Sequence, residues 1–466
     1  MSPRRRGLLL ALLIFSGILN YADRQIIAVL KPMLQDQLQW SDRDYGRLTA
    51  LFQLAAAFAY LGAGWVVDRL GWRRANIASV GSWSLAAMAH AVARTMGQFT
   101  VARIVLGATE SLGTPTAIKT IATLFEARGR SAALGAMNAA GNIGAIITPL
   151  FVPTLAVTLG WEAAFLFTGG LGLVWVAAWL LAAAGQTEEG ATAPPATASA
   201  VAPAGSHGPL APTATAQPAS PPAANTRPAT HAGVRSSAVT NSQPATAISR
   251  APALEPGGQL PWHSVLTNRV TWAIAGAKVL TDQVWWFLLF WAPDFFHREF
   301  HLDMQGFAVP IAVIYLTAAL GSLIGGWASG RLIANGMPVT EARKTVMLVS
   351  ALLVIPVPLA LRVDNYWIAV ALLSLTLAAH QGFSVNLFAL TTDVTPSSRV
   401  GTVISVAALF GNLSGMVILQ SAGWLIGGGY GYGPLFGLAA AAYVLALAWV
   451  RWLIPKGRGA EQALTA

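Results

Sequence analysis

The sequence predicts an all-α integral membrane protein, with 12 transmembrane helices in two pseudo-symmetric six-helix bundles. Three observations lead to this prediction. First, 55% of the 466 residues are hydrophobic and only 10% are charged, whereas soluble domains carry about 25% charged residues. Second, the apolar residues form blocks of about 20 residues, the length that crosses a bilayer as a helix. Third, these blocks fall into two sets of six on either side of a long polar stretch.

Each predicted span is a mostly apolar run between polar or charged segments. In chain order the spans are 8–29, 46–67, 76–94, 98–121, 133–157, 163–183, 270–292, 306–329, 344–361, 366–389, 400–422 and 434–454. The first run follows three arginines, as in a secretory signal, but no small-residue cleavage site follows it. We therefore interpret it as an uncleaved first span.

Lysine and arginine residues orient the spans, because cytoplasmic loops carry an excess of both. With the N-terminus in the cytoplasm, the cytoplasmic side holds Arg4, Arg5, Arg6, Arg69, Arg73, Arg74, Arg128, Arg130, Arg331, Arg343, Lys344, Arg399, Lys456 and Arg458. The outer loops hold only Lys31, Arg43, Arg47, Arg94, Arg298 and Arg362. The net charge of +10 thus reports topology and does not indicate nucleic-acid binding. We expect a multi-pass protein of the cell (inner) membrane with both termini in the cytoplasm.

A central segment, residues 186–262, differs from the rest of the chain. Ala, Pro, Thr and Ser dominate it, and large apolar residues are scarce. Such a composition buries too little apolar surface to offset the conformational entropy of ordering. We expect a disordered cytoplasmic linker here. It would join an N-terminal six-helix bundle, residues 1–185, to a C-terminal six-helix bundle with a short cytoplasmic tail, residues 263–466.

The two halves also show a weak internal repeat. Gly141 and Asn142 in the first half correspond to Gly411 and Asn412 in the second, about 270 residues later in both cases. Internal repeats of this kind are typical of secondary transporters.

The loop after the second span contains a motif of fixed spacing, G-x-x-x-D-R-x-G-x-R-R. Its fixed positions are Gly64, Asp68, Arg69, Gly71, Arg73 and Arg74. We expect Gly64 to allow close approach of another helix and Gly71 to supply a turn. Asp68 can cap a helix or pair with an arginine across the contact between the halves. The alternative is ordinary basic loop chemistry, which would rarely reproduce this spacing.

Few ionisable residues stand inside the spans, where each is costly unless it is paired or hydrated. Asp23 and Arg24 lie in the outer half of the first span, Arg103 in the outer half of the fourth, and Glu110 near its middle. Arg103 and Glu110 are two turns apart, so they share a face at a separation of about 10 Å. The planar donor fork of arginine suits a carboxylate. These residues predict a coupled anion and proton site; purely structural ion pairs, such as Asp23 with Arg24 or Arg103, are the alternative.

Other polar and aromatic residues can bind the remainder of a substrate. The candidates are Tyr21, Asn142, Trp286, Gln381 and Asn386. An amide both donates to and accepts from a sugar hydroxyl, but interhelical hydrogen bonding is the alternative for each amide. Trp286 either stacks on a sugar ring or belongs to an aromatic belt.

Two lysines inside or near the spans have simpler interpretations. Lys278 and Asp282 are four residues apart and can pair with each other. Lys119, near the inner end of the fourth span, is expected to extend to the cytoplasmic surface.

These features resemble the major facilitator superfamily of secondary transporters over nearly all the chain except the linker and tails. More narrowly, the chain resembles the anion:cation symporter branch and, within it, the hexuronate and sugar-acid transporters. The segments that carry this resemblance are residues 20–24, Arg103 with Glu110 and Ser111, 281–287, 378–382, and 386–388 running on to Asp393.

The resemblance implies a secondary active transporter that imports a sugar acid, a hexuronate such as galacturonate or glucuronate, with protons by alternating access. It implies that Arg24 and Arg103 hold the substrate carboxylate and that Asp23 and Glu110 carry the coupling protons. The alternatives are a proton symporter of another carboxylate (an aldonate or aromatic acid), a drug/proton antiporter and a transporter-like sensor.

The expected partners are a small-molecule carboxylate, protons and the lipid bilayer, with no nucleic acid, and a monomer suffices for transport by this fold. The chain has no cysteine and shows no catalytic Ser/His/Asp spacing, phosphate loop or metal cluster. We therefore expect no enzymatic activity, no cofactor and no metal.

Overall fold

The computed structural model describes residues 3–125, 127–184, 266–395 and 397–454. Within these ranges the regular secondary structure is helical. The predicted linker and C-terminal tail lie outside the described residues.

Seven helices form the N-terminal bundle. They are α1 (Pro3–Val29), α2 (Lys31–Leu38), α3 (Asp42–Val92), α4 (Met96–Glu110), α5 (Gly113–Leu124), α6 (Ala127–Leu159) and α7 (Trp161–Ala182). Helix α2 has only 8 residues, too few to cross a bilayer. The six spans of this bundle are α1, the two parts of α3, α4 with α5, α6 and α7.

Six helices form the C-terminal bundle, each of them a span. They are α8 (Arg269–Phe300), α9 (Ala308–Ala334), α10 (Val339–Val354), α11 (Tyr366–Val394), α12 (Ser397–Gly427) and α13 (Gly433–Leu453). A 3₁₀ turn (Val357–Leu361) follows α10. The predicted fold of 12 transmembrane helices in two bundles is confirmed.

Nine helices of the described ranges are long and apolar enough to cross a membrane by length and composition. The 51-residue α3 counts once in that set, although it contains two spans. Helices α4 and α5 have only 15 and 12 residues. Helix α8 is not in that set and carries Lys278 and Asp282 among its apolar residues.

The two spans of α3 meet at Gly71. This glycine interrupts the helix with φ 72° and ψ 163°, a conformation that disfavours residues with a Cβ. The predicted turn at Gly71 is confirmed. It places the motif around Asp68 at one end of the bundles, which we call the Asp68 end. The opposite end carries Lys31, and we call it the Lys31 end.

The fourth predicted span, 98–121, is not one continuous helix. Helix α4 ends at Glu110, and α5 begins at Gly113. Pro115 follows shortly after the break and has no backbone N–H, so it cannot continue the hydrogen-bond pattern of α4. The break leaves Glu110 at the last position of α4, facing the interior of the bundle with 1% exposure.

The internal repeat is visible in the packing of the two bundles. Gly141 of α6 lies against the ring of Tyr21 in α1, where a Cβ would approach a ring carbon to 2.6 Å. Gly411 of α12 lies against the carboxylate of Asp282 in α8, where a Cβ would overlap an oxygen. Glycines at corresponding positions of the two halves thus permit close packing between corresponding helix pairs, α1 with α6 and α8 with α12.

The bundles contact each other closely at the Lys31 end. Helices α3 and α12 cross there at Gly46 and Gly423, and a Cβ on Gly46 would lie 2.7 Å from the Gly423 Cα. Nearby, the Tyr45 hydroxyl donates a hydrogen bond of 2.7 Å to the Phe290 carbonyl of α8. Two glycines at the crossing allow the backbones to approach without side chains between them.

Candidate functional site

The four ionisable residues predicted to form a site are all buried within the N-terminal bundle. Asp23 and Arg24 of α1 are 1% and 2% exposed, and Arg103 and Glu110 of α4 are 0% and 1% exposed. Burial of four charged side chains in a membrane protein is costly unless they neutralise one another. Such groups usually mark a functional site.

Glu110 pairs with Arg24. The Arg24 Nε donates to the Glu110 Oε2 at 2.6 Å. Arg103 shares a face of α4 with Glu110, as the sequence predicts, but it is not the partner of this carboxylate. Two turns of one helix separate Arg103 from Glu110 by about 10 Å, whereas α1 brings Arg24 directly opposite Glu110.

Arg103 has no hydrogen bond to any residue that the structure describes. Its Nε, Nη1 and Nη2 atoms are all buried and unpartnered. The ring of Phe52 lies 5.7 Å from the guanidinium carbon, which is within the range of a cation–π interaction. A buried donor fork without an acceptor is unfavourable, so Arg103 has full capacity to bind a carboxylate.

The two arginines face the same aromatic ring. The Arg24 guanidinium carbon is also 5.7 Å from the Phe52 ring centroid. Twice this distance, about 11 Å, is therefore the upper limit of the separation between the two guanidinium groups. Asp23 lies within electrostatic range of Arg103 and Glu110.

Aromatic side chains from both bundles surround Arg24. The ring centroids of Tyr21 and Trp286 lie 5.7 and 5.9 Å from its guanidinium carbon. Trp286 belongs to α8 and is 2% exposed, so it does not belong to a surface belt. Trp286 thus places a side chain of the C-terminal bundle beside Arg24. We call Asp23, Arg24, Arg103 and Glu110, with the aromatic rings around them, the arginine site.

The predicted amide residues have different surroundings. Asn142 follows Gly141 beside Tyr21 and has a buried Oδ1 without a partner in the described part of the chain. Both amide atoms of Gln381 are likewise buried and unpartnered among the described residues. Asn386 instead donates to the carbonyls of Gly325 and Gly382, at 3.0 and 2.9 Å. The contact of Asn386 with Gly325 joins α11 to α9. It agrees with the alternative that this amide makes an interhelical hydrogen bond and does not bind substrate.

The predicted motif lies at the Asp68 end, but its contacts differ from the prediction. Asp68 accepts a hydrogen bond of 2.8 Å from Lys119 of α5, within the N-terminal bundle and not from an arginine across the halves. Lys119 also donates to the Val67 carbonyl at 3.1 Å, so it does not simply extend to the surface. A Cβ on Gly64 would meet no atom within 4 Å, so no helix in the described ranges approaches this glycine closely.

The arginines of the motif have other surroundings. The Arg69 guanidinium lies 4.1 Å from the centroid of the Trp65 ring. The Arg73 carbonyl accepts a hydrogen bond of 3.3 Å from Trp179 of α7, and Arg74 is exposed.

A cluster of charges that the sequence did not reveal joins the bundles at the Lys31 end. Lys31 is fully buried and pairs with Asp294 of α8 at 2.5 Å and with Asp42 of α3 at 2.9 Å. Arg298 of α8 reaches Asp42 at 2.6 Å, and the Tyr432 hydroxyl donates to Asp294 at 2.5 Å. We call these five residues the Lys31 cluster.

Lys31 lies outside the spans, in the short helix α2. Burial lowers the pKa of its ammonium group below the ordinary value, although Asp294 and Asp42 beside it act in the opposite direction. The i,i+4 spacing of Asp294 and Arg298 is visible in the sequence, but their partners on the other bundle are not.

Among the described residues, no group of three or more His, Cys, Asp or Glu side chains could hold a metal ion.

Comparison with known families agrees with the fold. Residues 13–341 match the family model of the Major Facilitator Superfamily, and the chain belongs to this family. It is therefore a multi-pass membrane protein of a family of transporters.

Among similar proteins are transporters of sugar acids. The chain is 25% identical over 456 residues to the hexuronate transporter of Escherichia coli (strain K12), covering 98% of this chain and 95% of the relative. It is 23% identical over 449 residues to the D-galactonate transporter of Escherichia coli O6:H1, covering 96% and 95%. The galacturonate transporter of Dickeya chrysanthemi is 32% identical over 175 residues, covering 38% of this chain and 51% of that protein.

Two solved structures are similar in fold. Both are of a bacterial homologue of the human lysosomal transporter Spinster in inward-facing conformations. The unoccupied form has a TM-score of 0.67 at 17% identity, covering 100% of this chain and 98% of that one. The occupied form has a TM-score of 0.69 at 16% identity, covering 99% of each. At these identities the likeness concerns the fold alone.

Proposed function

We propose that this transporter imports a sugar acid, a hexuronate such as galacturonate or glucuronate, together with protons by alternating access. In this proposal it acts as a monomer in the inner membrane, with both termini in the cytoplasm. The observation that carries the proposal is the buried, unpartnered guanidinium of Arg103. The full-length similarity to hexuronate and galactonate transporters supports the choice of anion.

Arg103 binds the substrate carboxylate through two parallel N–H···O bonds. Arginine presents this fork in a fixed plane, so it recognises a carboxylate with both charge and geometry. Because no residue described by the structure occupies these donors, the substrate does not have to displace an internal acceptor. The aromatic rings of Phe52 and Trp286 provide apolar surface beside the two arginines.

Charge balance links the anion to a proton. In their ionised forms Asp23, Arg24, Arg103 and Glu110 sum to zero, and a bound carboxylate would add one negative charge. An uncompensated charge is costly at this depth, so uptake of a proton by Glu110 or Asp23 restores neutrality. Anion and proton then each favour the other's binding by the same coupling free energy.

Alternating access follows from the arrangement of contacts between the bundles. The Lys31 cluster and the crossing of Gly46 with Gly423 hold the Lys31 end closed. The ion pair of Asp68 lies within one bundle, so the bundles can separate at the Asp68 end without breaking it. We assign this arrangement to an inward-facing state, with the Lys31 end on the outer side.

Uptake into proteoliposomes tests the proposal. Labelled galacturonate should accumulate when the outside is made acidic, and accumulation should stop when a protonophore removes the pH gradient. Galactonate, an aromatic acid and a cationic drug serve as competitors. Stronger inhibition by galactonate or the aromatic acid would favour the alternative carboxylate symporter. Drug efflux driven by inward proton flow, without galacturonate uptake, would favour the antiporter and refute the proposal.

A further inference from the structure

A row of residues along α8 follows the boundary between the two bundles. Its members recur at intervals of four, so the row turns about 40° around the helix axis at each step. They are Lys278, Asp282, Trp286, Phe290, Asp294 and Arg298. We call this row the α8 stripe.

The four stripe residues nearest the Lys31 end all contact the N-terminal bundle. Trp286 lies 5.9 Å from the Arg24 guanidinium, and the ring of Phe290 lies 6.2 Å from that of Phe52. The pairs of Asp294 with Lys31 and Arg298 with Asp42 follow at 2.5 and 2.6 Å. The next two positions of the stripe, Asp282 and Lys278, lie about 6 and 12 Å from Trp286 along the helix axis, towards the Asp68 end.

Those two positions hold a buried ion pair. The Lys278 Nζ lies 2.6 Å from the Asp282 Oδ1, and the two side chains are 1% and 8% exposed. The pair is charge-balanced, and the ring of Phe388 covers the ammonium group at 5.0 Å.

The Asp282 end of the pair lies beside a contact between the two bundles. Asp282 packs against Gly411, and the neighbouring Asn412 accepts a hydrogen bond of 2.9 Å from Gln53 of the N-terminal bundle. Gln53 follows Phe52, whose ring faces both arginines. The internal repeat gives the same placement, since Asp282 packs on Gly411 as Tyr21 packs on Gly141.

We propose that Lys278 and Asp282 form the C-terminal half of the substrate site and bind the hydroxyl groups of the sugar acid. The unpartnered Arg103 takes the carboxylate, because the charge of Lys278 is already matched by Asp282. A hydroxyl both donates and accepts, so neighbouring hydroxyls can donate to Asp282 and accept from Lys278. This inference rests on the proposed function and adds a determinant of substrate specificity.

The test compares a sugar acid with an acid that lacks hydroxyl groups. The affinities of the purified full-length protein for galacturonate and hexanoate are measured by calorimetry. The double variant Lys278→Met with Asp282→Leu removes the pair without leaving a single buried charge. It should lose at least about tenfold in galacturonate affinity, as expected for loss of charge-assisted hydrogen bonds, and change less than about threefold for hexanoate.

Two further variants make the test specific. The reversed pair, Lys278→Asp with Asp282→Lys, keeps the balanced charge, and it should show the same selective loss because donor and acceptor have exchanged places. The control, Arg343→Gln with Asp393→Asn, removes an ion pair of 3.2 Å in the same bundle away from the stripe, and it should bind both acids as the wild type does. Size-exclusion profiles check that each variant folds.

Unchanged galacturonate affinity in the double variant and the reversed pair would overturn the inference alone. An equal loss for both acids would also overturn it, since the pair would then act on the carboxylate or on the fold. Normal binding with loss of gradient-driven accumulation would assign the pair to proton coupling instead. A wild-type protein that binds no sugar acid would refute the proposed function and this inference together.

Discussion

Replacing Arg103 by methionine separates substrate binding from structural stability. Arg103 is completely buried, and its guanidinium has no hydrogen-bond partner in the part of the chain that the structure describes. An apolar side chain in its place removes the cost of burying a guanidinium without hydrogen-bond partners, and a proton on Asp23 or Glu110 restores neutrality. We therefore expect Arg103→Met to keep or raise the melting temperature of the protein without substrate.

Arg24 is the matched comparison. Arg24→Met removes the partner that lies 2.6 Å from Glu110 and leaves this buried carboxylate unpaired. Loss of one partner of a buried pair costs about 3–5 kcal/mol. Arg24→Met should therefore lower the melting temperature clearly, whereas Arg103→Met should not.

Arg103→Met should weaken substrate binding strongly, in contrast to its small effect on the melting temperature. A carboxylate held by the arginine fork makes two charge-assisted hydrogen bonds of about 1.5–3 kcal/mol each. Their loss in Arg103→Met amounts to about 3–6 kcal/mol, or roughly 10²- to 10⁴-fold in Kd. Arg103→Lys retains the charge and a single bond, so its Kd should rise about 10- to 10²-fold.

Tryptophan fluorescence during heating gives the melting temperatures, and calorimetry with galacturonate gives the Kd values. Two results would refute the reasoning. One is an Arg103→Met protein whose Kd stays within about threefold of the wild-type value. The other is a fall in its melting temperature as large as that of Arg24→Met, which would make Arg103 a structural residue.

Three further predictions concern coupling and conformational exchange. Glu110→Gln mimics the protonated acid, so it should support galacturonate counterflow in vesicles but lose accumulation driven by a pH gradient; accumulation at the wild-type level would exclude a coupling role. Asp68→Asn should slow transport several-fold and leave the Kd unchanged, and a large loss of affinity with normal turnover would contradict this. Lys31→Met with Asp294→Leu removes an ion pair between the bundles, so the Lys31 end should open more often. A cysteine introduced at Tyr45, in a chain without native cysteine, should then react several-fold faster with an impermeant thiol reagent, and an unchanged rate would show that the pair does not hold this end closed.

Much of the fold could be predicted because long apolar runs leave few structural options in a bilayer. The turn at Gly71 could also be predicted, since a glycine at a fixed place in a motif indicates a special backbone conformation. The break between α4 and α5 could not, because the small and weakly polar residues 111–114 are tolerated within a span and only Gly113 and Pro115 indicate an interruption.

The candidate site was predicted by residue type but not by partner. An ionisable residue in an apolar run is visible in one sequence, and Arg103 and Glu110 were found in this way. Partners on different helices are not visible, because pairing depends on how the helices pack. The sequence therefore does not show that Glu110 pairs with Arg24, or that Lys31 contacts Asp294, some 263 residues later in the chain.

The most direct test of sugar-acid and proton symport is the internal pH of proteoliposomes when galacturonate is added outside without an imposed gradient. A pH-sensitive dye trapped inside reports the change, and Arg103→Met liposomes provide the control. The account predicts that the lumen of wild-type liposomes becomes acidic as galacturonate enters and that the lumen of the control does not. An unchanged lumen pH during galacturonate uptake, or a lumen that becomes alkaline, would contradict proton symport.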